Sequence, residues 1–307
     1  MLDENLIVSS SPHIRSENTI SKIMFSVIIA LVPTSVAGVY FFGIRAVMIL
    51  IITILTSVLT ETIILKLRKK EVRLRDGSAI VTGLLLGLTL PSTVPLWIAA
   101  VGGTISIALG KMVFGGLGHN IFNPALVGRA FLLITFPVSM TNWVQPFDAA
   151  ATATPLNLYK MEGIKTVYSK LILGNVGGSI GETSVLLILI GGLYLLYKDY
   201  IDWRIPASYV FTAFLLTYLL GQDPIFHILS GGLMLGAFFM ATDMVTTPIT
   251  KKGKWIFGVG AGIILVIIRI FGGYPEGVLF SILFMNAVTP LLNKYTRSKV
   301  FGEVSNR

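Results

Sequence analysis

The sequence predicts an all-α protein that crosses a membrane about ten times, and three observations support this fold class. Hydrophobic residues make up 54% of the chain and charged residues only 13%, whereas soluble domains carry about 25% charged residues. Apolar runs near the ~20 residues that cross a hydrocarbon core recur along the whole length. Lysines and arginines gather at the ends of these runs, as they do in multi-span proteins.

The apolar runs divide the chain into five predicted parts. Polar residues 1–22 form a cytoplasmic N-terminal arm without the pattern of a cleaved signal peptide. Residues 23–140 hold a first membrane repeat, 141–183 an extracytoplasmic loop, 184–293 a second membrane repeat, and 294–307 a cytoplasmic tail. The predicted spans are 23–42, 46–65, 78–90, 96–113, 125–140, 184–197, 205–220, 227–241, 255–271 and 278–293.

The basic residues predict the orientation of these spans. The formal net charge is +9, which in a soluble protein would suggest nucleic acid as a partner. Here the charges lie at span ends, so they indicate topology, and no nucleic-acid partner is expected. Most of them lie in the loops after spans two, six and eight or at the two ends of the chain, which favours the cytoplasmic side for these loops and for both termini. The run after span two, which could also contact anionic lipids or a partner, contains Lys66, Arg68, Lys69, Lys70, Arg73 and Arg75.

Two weak similarities between segments of the chain predict an inverted repeat. Residues 82–87 (TGLLLG) resemble 231–236 (GGLMLG), and 111–116 resemble 269–273. Because each half has five spans, the halves would run through the membrane in opposite senses, and short glycine-rich segments at matching places indicate a central site. The alternative is that the glycines only allow close helix packing. Both interpretations stay open for Gly83, Gly87, Gly232 and Gly236.

The loop 141–183 contains the run DAAATAT at residues 148–154. It resembles the flavinylation signal Asp-Ala-x-Ser-Gly-Ala-Thr, in which a transferase esterifies FMN phosphate to the last threonine, here Thr154. Ala151 and Thr152 stand where serine and glycine are usual. The local alternative is a small-residue turn before Pro155, since proline pushes the preceding residue toward extended conformations.

Further stretches carry a resemblance over nearly the whole chain. They are Ser11-Pro12-His13, Asp76-Gly77-Ser78, GGLGHNIFNPA at 115–125 and YPEG at 274–277. Together with the loop motif they resemble the D subunit of the ion-translocating ferredoxin:NAD oxidoreductase (Rnf) complex, which is related to the B subunit of the sodium-pumping quinone reductase. The resemblance implies ten helices in two inverted five-helix repeats, similar in fold to urea transporters.

The same resemblance implies two flavins. A covalent FMN at Thr154 is expected to be exposed on a flexible outer loop, since a phosphoester needs no tight pocket. A non-covalent riboflavin is expected near Asn120 and Asn123, which match an Asn-x-x-Asn-Pro stretch of the related quinone reductase protein, and near Asp243. From the residues alone, Asn123 also suits the cap of a helix that begins at Pro124, and Asp243 an ordinary charge at a helix end.

Charged residues within or at the edge of the spans are few and are expected to face a polar interior, because charges are costly in lipid. They are Glu61, Lys111, Arg129, Asp243 and Arg269. Glu61 is expected either to bind a cation or to pair with a basic residue, and Arg129 to offset a flavin anion or to bind a lipid head group. The absence of cysteine excludes iron–sulfur ligation by this chain, and scattered His13, His119 and His227 indicate no metal site.

The function implied by the resemblance is electron transfer within a larger complex. The chain would pass electrons between the A, B, C, E and G subunits of a cell-membrane translocase that couples ferredoxin and NAD chemistry to sodium or proton movement. A flavin transferase would mature it, and membrane lipids would surround it. It would not be catalytic alone, and it shows no phosphate-loop or dinucleotide motif. The alternatives are a urea- or ammonium-type channel without a redox role, which the loop motif does not fit, and a purely structural assembly subunit.

Overall fold

The computed structural model describes residues 18–72, 74–148, 150–273 and 276–297. Outside these residues lie most of the predicted N-terminal arm with its Ser-Pro-His stretch, Arg73, Ala149 of the loop motif, Tyr274-Pro275 and the end of the predicted tail.

The chain is mostly helical. The first part contains α1 (Ile20–Phe42), α2 (Ile44–Leu67), α3 (Ser78–Thr89), α4 (Leu96–Ile107), α5 (Pro124–Thr135) and α6 (Pro137–Met140). The middle contains β1 (Trp143–Val144), β2 (Ala151–Thr152), α7 (Pro155–Glu162) and α8 (Tyr168–Leu173). The last part contains α9 (Val185–Tyr197), α10 (Arg204–Leu219), α11 (Pro224–Leu229), α12 (Leu233–Leu235), α13 (Lys251–Phe271) and α14 (Val278–Thr296). Two π-helices, Ala108–Met112 and Gly236–Met240, extend α4 and α12.

Every range predicted as a span contains helix, which agrees with an all-α membrane protein of several spans. Within the described residues, α1, α2, α13 and α14 are long and apolar enough to cross a membrane by themselves. Their outward faces carry exposed large apolar side chains such as Val36, Leu55 and Ile267. In water such surfaces would be unfavourable, whereas hydrocarbon accepts them.

Several helix contacts in the first half of the chain have counterparts in the second half. In the first half α2 contacts α3 and α4, and α4 contacts α5; in the second half α10 contacts α13, and α13 contacts α14. The halves meet where α1 packs on α9 and α5 on α14. Buried aliphatic and aromatic side chains from both halves form one large core cluster.

The predicted eighth span is divided by a break at Ser230–Gly232. Gly231 and Gly232 have φ values of 67° and 66°, a left-handed conformation that favours glycine. The Arg269 guanidinium compensates the carbonyls that the break leaves free. It donates to the carbonyl oxygens of Ser230 and Gly231 at 3.0 Å each, and also to that of His227.

The structure distinguishes between the two interpretations of Gly83, Gly87, Gly232 and Gly236. A Cβ on Gly83 would lie 2.6 Å from Cα of Ile54, and one on Gly87 would lie 2.7 Å from Oγ1 of Thr53. A Cβ on Gly236 would likewise be too close to the Val278 side chain. These three glycines therefore serve close helix packing. Gly232 instead belongs to the broken helix.

Candidate functional site

The segment between α6 and α9 is folded and anchored to the bundle. Its strands β1 and β2 pair antiparallel, Trp143 with Thr152. The Tyr159 hydroxyl donates to Oε1 of Gln222 at 2.9 Å, and Lys165 Nζ pairs with Asp223 at 3.2 Å. This segment therefore holds its side chains in fixed positions over α10 and α11.

Thr154 is the N-cap of α7. Its Oγ1 accepts a hydrogen bond from the Asn157 backbone N–H at 3.3 Å, and Pro155 occupies the first helical position. This is a favourable start for a helix, because proline needs no partner there. Leu156 then packs with Leu171 and Phe226. Thr154 itself is only 3% exposed and lies in a folded segment, so the expected flexible loop is wrong. The exposure of a flavin attached to Thr154 stays a prediction.

A cavity of about 290 Å³ borders the Thr154 side chain. We call it the Thr154 cavity, and its polar lining includes Thr154, Asn157, Arg129, Glu182 and Glu276. Trp143, Leu133 and Val278 provide apolar wall. A group esterified to the hydroxyl would therefore find both space and charged neighbours within the fold.

One guanidinium bridges two carboxylates in this cavity. Arg129 on α5 donates from Nη1 to Oε1 of Glu182 at 3.2 Å and from Nη2 to Oε2 of Glu276 at 3.0 Å. Glu182 precedes α9, and Glu276 lies in the turn before α14. Arg129 is buried and faces this cavity, so the geometry gives no support to a lipid head group as its partner.

The pKa of the second carboxylate in the cavity, that of Glu276, lies near neutral pH. Burial first, and then the neighbouring Glu182 carboxylate, raise the pKa of Glu276 from 4.5 to about 7, while Arg129 opposes the shift. Two carboxylates that share one guanidinium cannot both ionise freely. The cavity can therefore gain or lose a proton near neutral pH.

A second cavity brings together the three residues predicted beside a non-covalent flavin. Asn120, Asn123 and Asp243 all line this cavity of about 70 Å³, which we call the Asn120 cavity. Its apolar wall includes Leu85 and Phe239. The fold therefore places this trio in one site, although its members come from distant parts of the sequence.

The two asparagines play different parts in the Asn120 cavity. Oδ1 of Asn123 caps α5 by accepting from the Ala125 N–H at 3.0 Å, and Nδ2 donates to the Met240 carbonyl at 3.2 Å. Nδ2 of Asn120 donates to the Phe122 carbonyl at 3.2 Å. Oδ1 of Asn120, in contrast, is buried without a partner among the described residues. The capping interpretation of Asn123 is thus confirmed, and Asn120 has the free acceptor.

Asp243 accepts two bonds from its own turn. The Val245 N–H donates to its Oδ1 at 3.4 Å, and the Thr246 hydroxyl to its Oδ2 at 3.2 Å. These bonds orient the carboxylate at the end of the π-helix after α12, at the edge of the cavity. They account for a helix-end role and also leave lone pairs directed to other partners.

An ion pair lies against the Asn120 cavity. Lys111 is 1% exposed and donates from Nζ to both oxygens of Glu61, at 2.7 and 2.9 Å, and to Oγ of Ser78 at 2.7 Å. All three ammonium protons thus have acceptors. Of the two interpretations of Glu61, pairing with a basic residue is confirmed.

The residues of the two cavities suit flavins in different ways. The orphaned Oδ1 of Asn120 requires a donor, and the imide N–H of an isoalloxazine ring is one, while the apolar wall suits the ring faces. Thr154 lines its cavity together with Arg129, whose guanidinium is a suitable donor to phosphate oxygens. In the described part of the chain, no group of three His, Asp or Glu side chains is placed to hold a metal ion.

Comparison with known proteins gives consistent matches over nearly the full length. The family model for the NQR2, RnfD, RnfE family matches residues 7–302. The chain is 48% identical over 316 residues to the D subunit of the proton-translocating ferredoxin:NAD(+) oxidoreductase complex of Clostridium ljungdahlii, covering 96% of each chain. It is 49% identical over 308 residues to the D subunit of the Na(+)-translocating complex of Acetobacterium woodii, covering 98% of this chain and 97% of the relative. It is also 38% identical over 331 residues to the D subunit of the ion-translocating oxidoreductase complex of Stutzerimonas stutzeri, covering 93% of each.

Proposed function

Because this chain belongs to the NQR2, RnfD, RnfE family, we propose that it is the membrane-embedded D subunit of an ion-translocating ferredoxin:NAD(+) oxidoreductase complex. The observation that carries the proposal is the near full-length identity of 48% and 49% to two relatives so named. In this function the chain is one part of a translocase and relays electrons within it. Since these relatives are named for protons and for sodium, the proposal includes either ion.

We propose that the relay uses two flavins held in the two cavities. Thr154 would carry FMN through a phosphoester, with Arg129 as counter-charge. Asn120 would accept a hydrogen bond from a non-covalent riboflavin, Asn123 would fix the wall beside it, and Asp243 would lie at the edge. When bound, flavins supply reversible transfer of one or two electrons. The protein supplies position, counter-charge and exclusion of water.

We also propose ten spans in two inverted five-helix repeats, similar to urea transporters. The matching contacts of α2, α4 and α5 with those of α10, α13 and α14 support this arrangement. In it both termini are cytoplasmic, the Thr154 segment is extracytoplasmic, and the protein resides in the cell membrane. Thr154 and Asn120 would then lie toward opposite faces, so electrons could cross the bilayer through this chain.

The proposed partners are the A, B, C, E and G subunits of the Rnf complex, a flavin transferase for maturation, and lipids. None of the three relatives described above is named as a urea or ammonium channel, so that alternative has no support from the comparisons. A purely structural role predicts that electron transfer survives without the Thr154 hydroxyl.

An experiment on the whole complex tests the proposal. We expect Thr154→Ala to leave the complex assembled but to abolish NAD(+) reduction by reduced ferredoxin and the accompanying ion transport in membrane vesicles. Thr152→Ala, which changes the neighbouring threonine of the same motif, is the matched control and should retain both activities. Full activity in Thr154→Ala would favour the structural alternative.

A further inference from the structure

A third cavity lies on the other face of α7 and has no part in the proposed electron relay. Thr154, Asn157 and Met161 line the Thr154 cavity, whereas Leu156, Tyr159 and Lys160 face this one. We call it the His227 cavity; its volume is about 310 Å³. The remaining lining residues are Gly163, Gln222, His227, Arg269 and Ile270.

The His227 cavity contains buried polar atoms without partners. His227 and Arg269 are 5% and 3% exposed. Among the described residues, neither ring nitrogen of His227 has a hydrogen-bond partner, and neither has Nε of Arg269. A neutral imidazole always offers one N–H donor, and a guanidinium Nε is a donor only. Buried polar groups are normally paired, so these atoms indicate a ligand.

The charge of this cavity favours an anion. Lys160 and Arg269 contribute two positive charges, and none of the described lining residues is acidic. Lys160 Nζ donates to the carbonyls of Arg269, at 2.9 Å, and Gly272. An ammonium has three donors, so one has no acceptor among the residues that the structure describes. The cavity therefore offers free donors from three different side chains.

Nearby carboxylates are occupied elsewhere. Asp223 caps α11 through the Phe226 N–H at 3.1 Å and also binds Lys165 and Tyr168. Glu182 and Glu276 bind Arg129 in the Thr154 cavity. The positive charge of Lys160 and Arg269 thus has no internal carboxylate in direct contact within the described part of the chain.

We propose that the His227 cavity binds a phosphoryl group, carried either by the head group of an anionic phospholipid or by free phosphate. Converging guanidinium, ammonium and imidazole donors suit the several oxygens of a phosphoryl group. Ile270 is part of the cavity wall, and Phe271 beside it is 74% exposed. An acyl chain could therefore leave the cavity along an apolar surface at the end of α13.

The sequence offers a direct probe, because the chain contains only three histidines. In full-length protein labelled with ¹⁵N-histidine in detergent micelles, His227→Gln identifies the ring signals of His227. Two titrations follow at constant ionic strength, one with inorganic phosphate and one with phosphatidylglycerol in mixed micelles. Potassium chloride and phosphatidylcholine are the blanks.

We expect a saturable shift of the His227 signals with at least one probe. Lys160→Gln should weaken the apparent affinity about tenfold, the loss expected for one charged contact, and Lys170→Gln, an exposed lysine of the same segment, should leave it unchanged. A response to phosphatidylglycerol alone identifies a lipid site, and a response to phosphate shows that the phosphoryl group suffices. Absence of a saturable shift with both probes, or equal affinity in the two lysine variants, would overturn the proposal.

Discussion

The Asn120 cavity and the Thr154 cavity differ in what their charges contact. Beside Asn120, Lys111 donates all its ammonium protons to Glu61 and Ser78. The Asp243 carboxylate accepts bonds from its own turn, and the neutral Oδ1 of Asn120 has no partner among the described residues. Beside Thr154 a guanidinium and two carboxylates face the space itself. We propose that the first environment binds a neutral ring by hydrogen bonding and that the second accommodates an ionised group.

The two cavities also differ in how they could hold a ligand. The Asn120 cavity, at about 70 Å³, is small and is bounded in part by Asn123, the cap of α5. The Thr154 cavity is about four times as large, at 290 Å³, and Thr154 is part of its lining. A ligand that binds non-covalently in the small cavity depends on close contact with its walls for affinity. A ligand that is covalently attached to Thr154 does not.

The largest expected effect concerns the ion pair beside the Asn120 cavity. Lys111→Met should lower the free energy of unfolding by about 3–5 kcal/mol, because it leaves the Glu61 carboxylate buried and unpaired. Chemical unfolding in detergent, followed by tryptophan fluorescence, measures the change.

The double variant Glu61→Leu/Lys111→Met is its control. Replacing both members of a buried pair with apolar residues is often nearly neutral, so most of the loss should be recovered. If the single and double variants were equally unstable, Lys111 and Glu61 would not neutralise each other as we describe.

The next effect separates the two asparagines. Asn120→Ala should lower the affinity for the non-covalent flavin about ten- to a hundredfold, as expected for a lost hydrogen bond of about 1–3 kcal/mol. The free energy of unfolding should change little. Asn123→Ala should lower stability by about 1–2 kcal/mol, because it removes the cap of α5. Flavin released on denaturation is measured by fluorescence, and covalent flavin stays with the chain. Equal flavin affinity in wild type and Asn120→Ala would remove Asn120 from the site.

Much of this architecture could be predicted from the sequence, because apolar runs and their basic ends are local signals. Helices indeed lie at all the predicted spans. The break at Gly231-Gly232 could not be separated from simple packing, since Gly83 and Gly87 show the same pattern and pack closely.

The polar partners were harder to predict because they come from distant parts of the chain. Arg129 is 53 residues from Glu182 and 147 from Glu276, and no local pattern marks Glu182. The burial of Thr154 was missed for a related reason. Small residues before a proline look like an open turn. Only the packing of Leu156 against Phe226 and Leu171 shows that this turn is held against the protein.

The smallest expected effect is a pH dependence in the Thr154 cavity. The folded pKa of Glu276, about 7, exceeds its ordinary value of 4.5, so the folded chain binds a proton that the unfolded chain has released. This stabilisation is complete below about pH 4.5 and is lost as the pH rises to about 7. Glu276→Gln should therefore gain about 1 kcal/mol relative to wild type between pH 5 and 8, a value reduced for the 22% solvent exposure of the side chain.

Unfolding midpoints at pH 5 and pH 8 measure this difference. Glu162→Gln, which alters an exposed carboxylate at the end of α7, should show the pH dependence of the wild type. If Glu276→Gln did so too, the Thr154 cavity would hold no group that titrates near neutrality.

The most direct test is the intact mass of the chain purified from membranes that also contain the flavin transferase. The proposed ester at Thr154 predicts the mass of one FMN, less the water lost on esterification, on wild type and on Thr154→Ser, and the unmodified mass for Thr154→Ala. An unmodified wild-type chain, or an FMN adduct that persists in Thr154→Ala, would contradict the account.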